Sequence, residues 1–300
     1  YFGAIRQHIA QQDDAFYFIA NYHALTTVND AATLRAQTFD VAATYLALGL
    51  DPARATLFRQ SDVPEVCELT WLLATVTGMG LLEKAVSYKE KKERGIHASV
   101  GLFTYPVLMA SDILIYDSDV VPVGSDQVQH VELTRDMAAR FNHLYGETFK
   151  LPRYELGTPV PVPGLDGQKM SKSYGNHIPL FAEGKELKRL VGLITTDSKG
   201  LDDPKDPDTC NVFALYKLFA TADECEAMAA QYRAGGFGYG HAKQALMAKI
   251  DERFGEARER RRRFDAHPEE VEAALAEGAA RARAIARTVL ARARRACGID

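Results

Sequence analysis

Up to Gly146 the chain alternates short apolar runs with long helix-patterned ones, and this alternation does most to limit its possible folds. "AFYFIAN", "ATLFRQ" and "DVVPVG" are too short for helices, are bounded by polar or turn residues, and read as buried strands. Between and around them, "AATLRAQTFDVAATYLALGL", "CELTWLLATVT", "SVGLFTYPVLMASDILIY" and "SDQVQHVELTRDMAARFNHLYG" carry helical spacing. Gly49 and Gly146 close the first and last of these. Ser61 and Glu65 are spaced as a loose helix cap, and Pro106 is expected to kink its helix or mark its start. "YFGAIRQHIAQQ" puts Phe2, Ile5 and Ile9 on one helical face, and "LLEKAVSYKEKKERG" reads as a helix ending at Gly95. Strands separated by helices pair in parallel. The expectation for residues 1–176 is an α/β domain, a doubly wound, Rossmann-like parallel sheet.

After the Pro/Gly-rich "LGTPVPVPGLDGQ" the texture changes. From about residue 177 the patterns are helical and no strand stands out, so residues 177–300 are expected to form a smaller all-helical domain. Its last helix is a candidate to fold back onto the first domain. The arginines of "RERRRRF" and "RARAIARTVLARARR" are interleaved with acids, and either phosphate contact or a solvated helix face fits them. The net charge of −4 neither points to a nucleic-acid partner nor excludes one, because a local basic face is enough. The four cysteines are far apart with no C-x-x-C pair, which argues against a zinc ribbon or an iron–sulfur cluster and for reduced, cytoplasmic thiols. No stretch is apolar for long enough to span a bilayer, and no membrane or DNA partner is expected.

Ligands of an open parallel sheet bind beyond the carboxyl ends of its strands. Three stretches qualify. "IANYHALTT" follows the first strand. Gly124-Ser125-Asp126-Gln127 opens a helix after the third, where backbone N–H groups suit a phosphate and side chains suit a sugar or an amino-acid head group. On the residues alone, Ser125 or Asp126 capping the helix is the better-founded reading. "GQKMSKSYGN" gathers Lys169 and Lys172, Ser171 and Ser173, and the flanking Gly167 and Gly175. It is either a solvated loop or a grip on an anion.

"KMSKS", Lys169 to Ser173, matches the second signature of the class I aminoacyl-tRNA synthetases. "TYPVLMASDILIYDSDVVPVGSDQVQHVELTRDMAARFN", "NYHALT" and "DPKDPDTCNVFALYKLF" resemble the bacterial tryptophanyl-tRNA synthetase branch of that family. This resemblance implies ATP-dependent charging of tRNA(Trp) with L-tryptophan through an adenylate, releasing pyrophosphate and AMP. ATP and Mg2+ are then expected, no metal site of the protein's own, and a homodimer with its surface around Leu81 to Phe103. Lys169 and Lys172 would offset charge on the leaving pyrophosphate and count as catalytic. Gly124, Ser125, Asp126, Val160, Lys169, Met170, Ser171, Lys172 and Ser173 would line the ATP site. Asp112 would accept the indole N–H, Met109 would line the ring, Tyr105 and Gln127 would hold the head group, and His23 would border the pocket. His130 is expected to be structural. Residues 177–300 would read the tRNA anticodon.

The first signature of the family, an H-x-G-H or H-x-G-N element, is absent. The resemblance puts it immediately before "YFGAIRQ", so about fifteen to twenty further residues, one strand and a turn, are expected upstream. Two alternatives stay open. A tyrosyl-tRNA synthetase has a related fold, but its phenol substrate both donates and accepts and calls for a second polar reader in the slot. A non-catalytic RNA-binding paralogue would have no need of both lysines.

Overall fold

The computed structural model describes residues 4–83, 99–157 and 160–300. The chain runs through α1 (Ala4–Ala10), β1 (Phe16–Ile19), α2 (Asn21–Ala24), α3 (Ala31–Ala47), β2 (Thr56–Arg59), α4 (Glu65–Val76) and α5 (Met79–Glu83). It continues through α6 (Val100–Leu114), β3 (Val120–Val123), α7 (Val128–Tyr145) and β4 (Arg153–Leu156). Helices alone follow among the described residues: α8 (Gly184–Gly192), α9 (Asn211–Tyr216), α10 (Ala222–Ala234), α11 (Tyr239–Ala266) and α12 (Pro268–Cys297). The helix expected through "LLEKAVSYKEKKERG" and the expected dimer surface fall partly on residues 84–98, outside the described residues.

The strands pair in parallel as expected, β1 with β2 in the register Phe16 to Thr56, and β3 with β4 in the register Val120 to Arg153. Helices between them supply the crossovers that parallel pairing demands. Strand β4 was not expected. "RYEL" has no apolar run, and all four of its residues are exposed. Pro106 neither starts nor ends α6; it lies buried inside the helix, whose N-cap is Ser99, accepting from the N–H of Leu102 at 3.1 Å. Ser61 does not cap α4. It exchanges two hydrogen bonds with Asn21, at 2.7 and 3.0 Å, and Pro64 takes the cap position.

The chain divides into two compact units, one of Tyr1–Gln7, Ala47–Gly49 and Pro159–Arg263, the other of His8–Leu46, Leu50–Thr158 and Phe264–Asp300. These limits differ from the expected division at residue 176. The segment 160–176, with the "KMSKS" loop, groups with α8 to α11, and α12 groups with the strands. The helical unit buries Leu187, Val191, Val212, Phe213, Tyr232 and Leu246. Its buried Lys205 spends all three ammonium protons on carbonyls, of Gly200 at 2.7 Å, Leu201 at 3.1 Å and Asp203 at 3.0 Å.

In the other unit, Phe58, Leu69, Leu73, Val107, Ile115 and Phe141 form one apolar core that α12 completes with Ala282, Ala286 and Val289. The helix reads neither as a solvated face nor as a free basic stripe. Arg283 and Arg287 both reach Glu65, at 2.9 and 3.0 Å; Arg292 reaches Asp117 and the carbonyl of Thr148; Arg294 pairs with Glu68. Arg281 donates to the carbonyls of Pro52 and Ala55. The earlier cluster is engaged too, with Arg258 on Asp251 and Arg262 on Glu183. At Gly278 the helix lies so close to β2 that any Cβ would fall inside the carbonyl of Leu57. The obstacle is backbone, so Gly278→Ala is expected to destabilise this unit by about 2–3 kcal/mol, read by urea unfolding. A loss within ordinary surface-substitution scatter would show that α12 is free to shift.

Candidate functional site

Three side chains of α6 share a face because their spacing is helical: Tyr105, Met109 and Asp112. Asp112 is only 3% exposed, and α2 meets it there: His23 Nε2 lies 3.0 Å from Asp112 Oδ2. Gln60, at the end of β2, donates to the same oxygen from 2.7 Å. The other carboxylate oxygen, Oδ1, is buried and has no hydrogen-bond partner among the described residues. Burial pushes the Asp112 carboxyl above the usual range, while the bonds from His23 and Gln60 pull it back. A buried acceptor left open costs stability, and a ligand donor would complete it.

The hydroxyl of Tyr105 lies 3.2 Å from Nε2 of the buried His130, and its ring meets that of His23 edge-on at 6.0 Å. His130, expected to be structural, is the hydrogen-bonding partner of a candidate site residue. A cavity of about 350 Å³ lies beside this cluster, with His23, Tyr105, Tyr22, Cys67 and Thr70 on its wall and Met109 and Asp112 outside it. Gln127 closes the short 3-10 turn Ser125–Gln127, and its Nε2 donates to Asp126 Oδ2 at 2.8 Å. The capping reading of Ser125 and Asp126 is overturned, for neither side chain caps the turn or α7. A Cβ at Gly124 would stand 2.6 Å from Asp126 Oδ1, the end of an exposed side chain that can move aside, so glycine is not required there.

The remaining candidates belong to the helical unit. Backbone pairing of Pro163 with Lys169, and the bond from Met170 N–H to the Val162 carbonyl at 2.9 Å, form the loop's neck. Asn176, which sequence reasoning passed over, staples the interior. Its Oδ1 accepts the Ser171 N–H at 2.8 Å, and its Nδ2 donates to Asp166 at 2.8 Å and to the Lys169 carbonyl at 3.2 Å. Gly167 takes φ +82° and packs so tightly that a Cβ would lie 2.7 Å from Asn211. Ser171 and Ser173 join their hydroxyls at 2.7 Å. Lys169 and Lys172 are exposed and form no ion pair among the described residues. Val160 is exposed. The arrangement is a shaped backbone offering two uncommitted cations, which suits a polyanion. Among the described residues no group of three or more His, Cys, Asp or Glu could hold a metal ion.

A family model described as tRNA synthetases class I (W and Y) matches residues 1–255. The chain belongs to this family. The synthetase is similar to the tryptophan–tRNA ligase of Rhodopirellula baltica, 56% identical over 302 aligned residues, covering 100% of this chain and 94% of that protein. The corresponding ligase of Fusobacterium nucleatum is 51% identical, with coverages of 100% and 93%. The crystal structure of tryptophanyl-tRNA synthetase from Campylobacter jejuni complexed with ADP and tryptophan superposes with a TM-score of 0.95 at 45% identity, over 99% of this chain and 94% of that one. The expected fold class and the expected ligase class both stand.

Proposed function

We propose that the protein activates L-tryptophan with ATP and transfers it through tryptophanyl-adenylate to tRNA(Trp), releasing pyrophosphate and AMP. The observation that carries this reading is the open, buried Oδ1 of Asp112. An indole offers one N–H donor and no acceptor, so one desolvated acceptor among apolar walls is the minimal reader for it. Met109 lines the ring, and Tyr105, Gln127 and His23 hold the amino-acid end and the pocket rim. Tyrosine would call for a second polar partner at the far end of its ring.

Adenylate formation is nucleophilic attack by the substrate carboxylate on the α-phosphorus, with pyrophosphate leaving. Such a step is accelerated by positioning and by cations placed where charge grows. Lys169 and Lys172 take that role, the loop from Met170 to Ser173 shapes the phosphate grip, and Val160 contributes apolar contact to the nucleotide. Gly124, Ser125 and Asp126 serve the nucleotide's sugar and phosphate. Mg2+ accompanying ATP would share with Lys169 and Lys172 the neutralisation of the phosphate charge. Residues 177–263 are assigned to the tRNA anticodon arm, α12 being part of the unit that holds the strands, and the enzyme to the cytoplasm, where its cysteines stay reduced. Amino-acid-dependent pyrophosphate exchange tests the reading: tryptophan should support it and tyrosine should not. Exchange driven better by tyrosine would overturn it.

Asn176→Ala removes the staple of the phosphate loop without touching either lysine. Adenylate formation is expected to slow by roughly tenfold with a raised KM for ATP, while the KM for tryptophan stays within about twofold. Steady-state exchange kinetics in both substrates check this.

The enzyme acts as a homodimer in this reading. Leu25, Trp71, Met79 and Val100 are each more than half exposed, Trp71 to 70%, and offer apolar surface to a second copy. Sedimentation at micromolar concentration should return twice the monomer mass; a monomer would reject the assignment.

A further inference from the structure

Gln60 is 1% exposed and uses both ends of its amide. Its Oε1 accepts the backbone N–H groups of Tyr22 at 3.0 Å and of His23 at 3.4 Å. Those two donors fix the amide's orientation, because a flip would set its NH2 against them. Its Nε2 therefore faces Asp112 as a donor, 2.7 Å from Oδ2, and His23 Nε2 lies 3.0 Å from the same oxygen. Among the described residues both partners of the carboxylate fall on Oδ2, and Oδ1 has none.

We propose that Gln60 is a positioning and specificity residue of the tryptophan site, which by occupying Oδ2 turns Oδ1 of Asp112 to the ligand and keeps it an acceptor. This rests on the reading of Asp112 as the partner of the indole N–H. The physical reason lies in where a proton would go. With two donors on Oδ2, a proton added to the carboxyl goes to Oδ1 and sets an O–H against the indole N–H, donor facing donor. Burial favours that protonation, and the donors on Oδ2 oppose it. The titratable groups facing the carboxyl are His23 from α2 and Tyr116 in the turn just past the end of α6. Glu65 of α4 acts on Tyr116 and is itself paired with Arg283 and Arg287. The Gln60 amide on Oδ2 is a donor that carries no charge and does not titrate. Gln60 also ties the carboxyl to the backbone of α2, which carries His23, so the two halves of the pocket rim are set by one amide.

Two variants of opposite chemistry test this. Gln60→Met keeps the side-chain length and removes the donor. The KM for tryptophan is expected to rise roughly tenfold or more, with kcat and the KM for ATP within about threefold. That KM should then climb further as pH is lowered across the enzyme's stable range, more steeply than in the unaltered enzyme. Gln60→Glu keeps the acceptor for the two N–H groups but sets a second carboxyl against Asp112. Its tryptophan KM should start high and fall over the same pH range, because a proton shared between the carboxyls restores a donor on Oδ2. An unchanged tryptophan KM in Gln60→Met, the same pH trend in both variants, or equal rises in the KM for ATP and for tryptophan would each overturn the proposal. Asp112→Ala measured alongside separates the two levels. If it loses tryptophan while Gln60→Met does not, the role of Gln60 fails alone; if it keeps tryptophan, the acceptor reading fails and the proposal with it.

Discussion

Lys172→Ala is expected to slow adenylate formation by roughly 10²–10³-fold, the usual loss when a group stabilising transition-state charge is removed. The dissociation constant for tryptophan should move by less than about threefold, because the charge that Lys172 offsets grows mainly as pyrophosphate leaves. The structure favours a clean experiment. Lys172 is exposed, has no ion pair among the described residues, and begins a 3-10 turn whose cap is the Ser171 hydroxyl. Asn176 holds the loop backbone through Ser171 and Lys169 instead. The substitution therefore removes a cation and leaves the loop's shape. Single-turnover adenylate formation, set beside equilibrium tryptophan binding, decides the matter. Equal losses in both would show that the loop supports the fold of the site and not the charge of the transition state.

Asp112→Ala carries the other large effect. A hydrogen bond to a charged acceptor contributes about 1.5–3 kcal/mol, and an indole donor left facing apolar atoms costs about 1–3 kcal/mol more. Together they give a fall in kcat/KM for tryptophan of roughly two to four powers of ten. Phenylalanine has no N–H to satisfy and should lose much less, so discrimination between the two narrows. Pyrophosphate exchange with both amino acids measures it. Retention of tryptophan activity within a factor of a few would make Asp112 a structural carboxylate. The substitution also strands two donors, Gln60 Nε2 and His23 Nε2, so thermal stability is followed in parallel.

The parts of this fold legible in the sequence are those that local pattern controls. Strands β1, β2 and β3 are short apolar runs, α3 and α7 end at glycines, and "KMSKS" stands in a turn-rich stretch. Strand β4 escaped because it pairs with β3 on an exposed edge, where no apolar run is needed. The partners of the C-terminal arginines escaped because they are remote: Glu65 stands 218 positions before Arg283. At the site, Asp112 was legible through its helical spacing from Met109, whereas Gln60 and Asn176 were not. A glutamine or asparagine looks the same in sequence whether its amide is solvated or spends every hydrogen bond inside, and only the fold distinguishes them.

The docking of α12 has a consequence in time. The ribosome releases β1 through β4 first, and α12, which covers β2 and completes the core around Phe58, emerges only after everything else in that unit. Closing so long a loop costs little extra free energy, since each doubling adds about 0.6 kcal/mol, but it delays the contacts that reward it. Until Gly278 seats against Leu57, the nascent unit shows an uncovered apolar face, a target for chaperones and proteases. A message truncated before that glycine would yield a chain with its "KMSKS" loop encoded but its strands unsheltered.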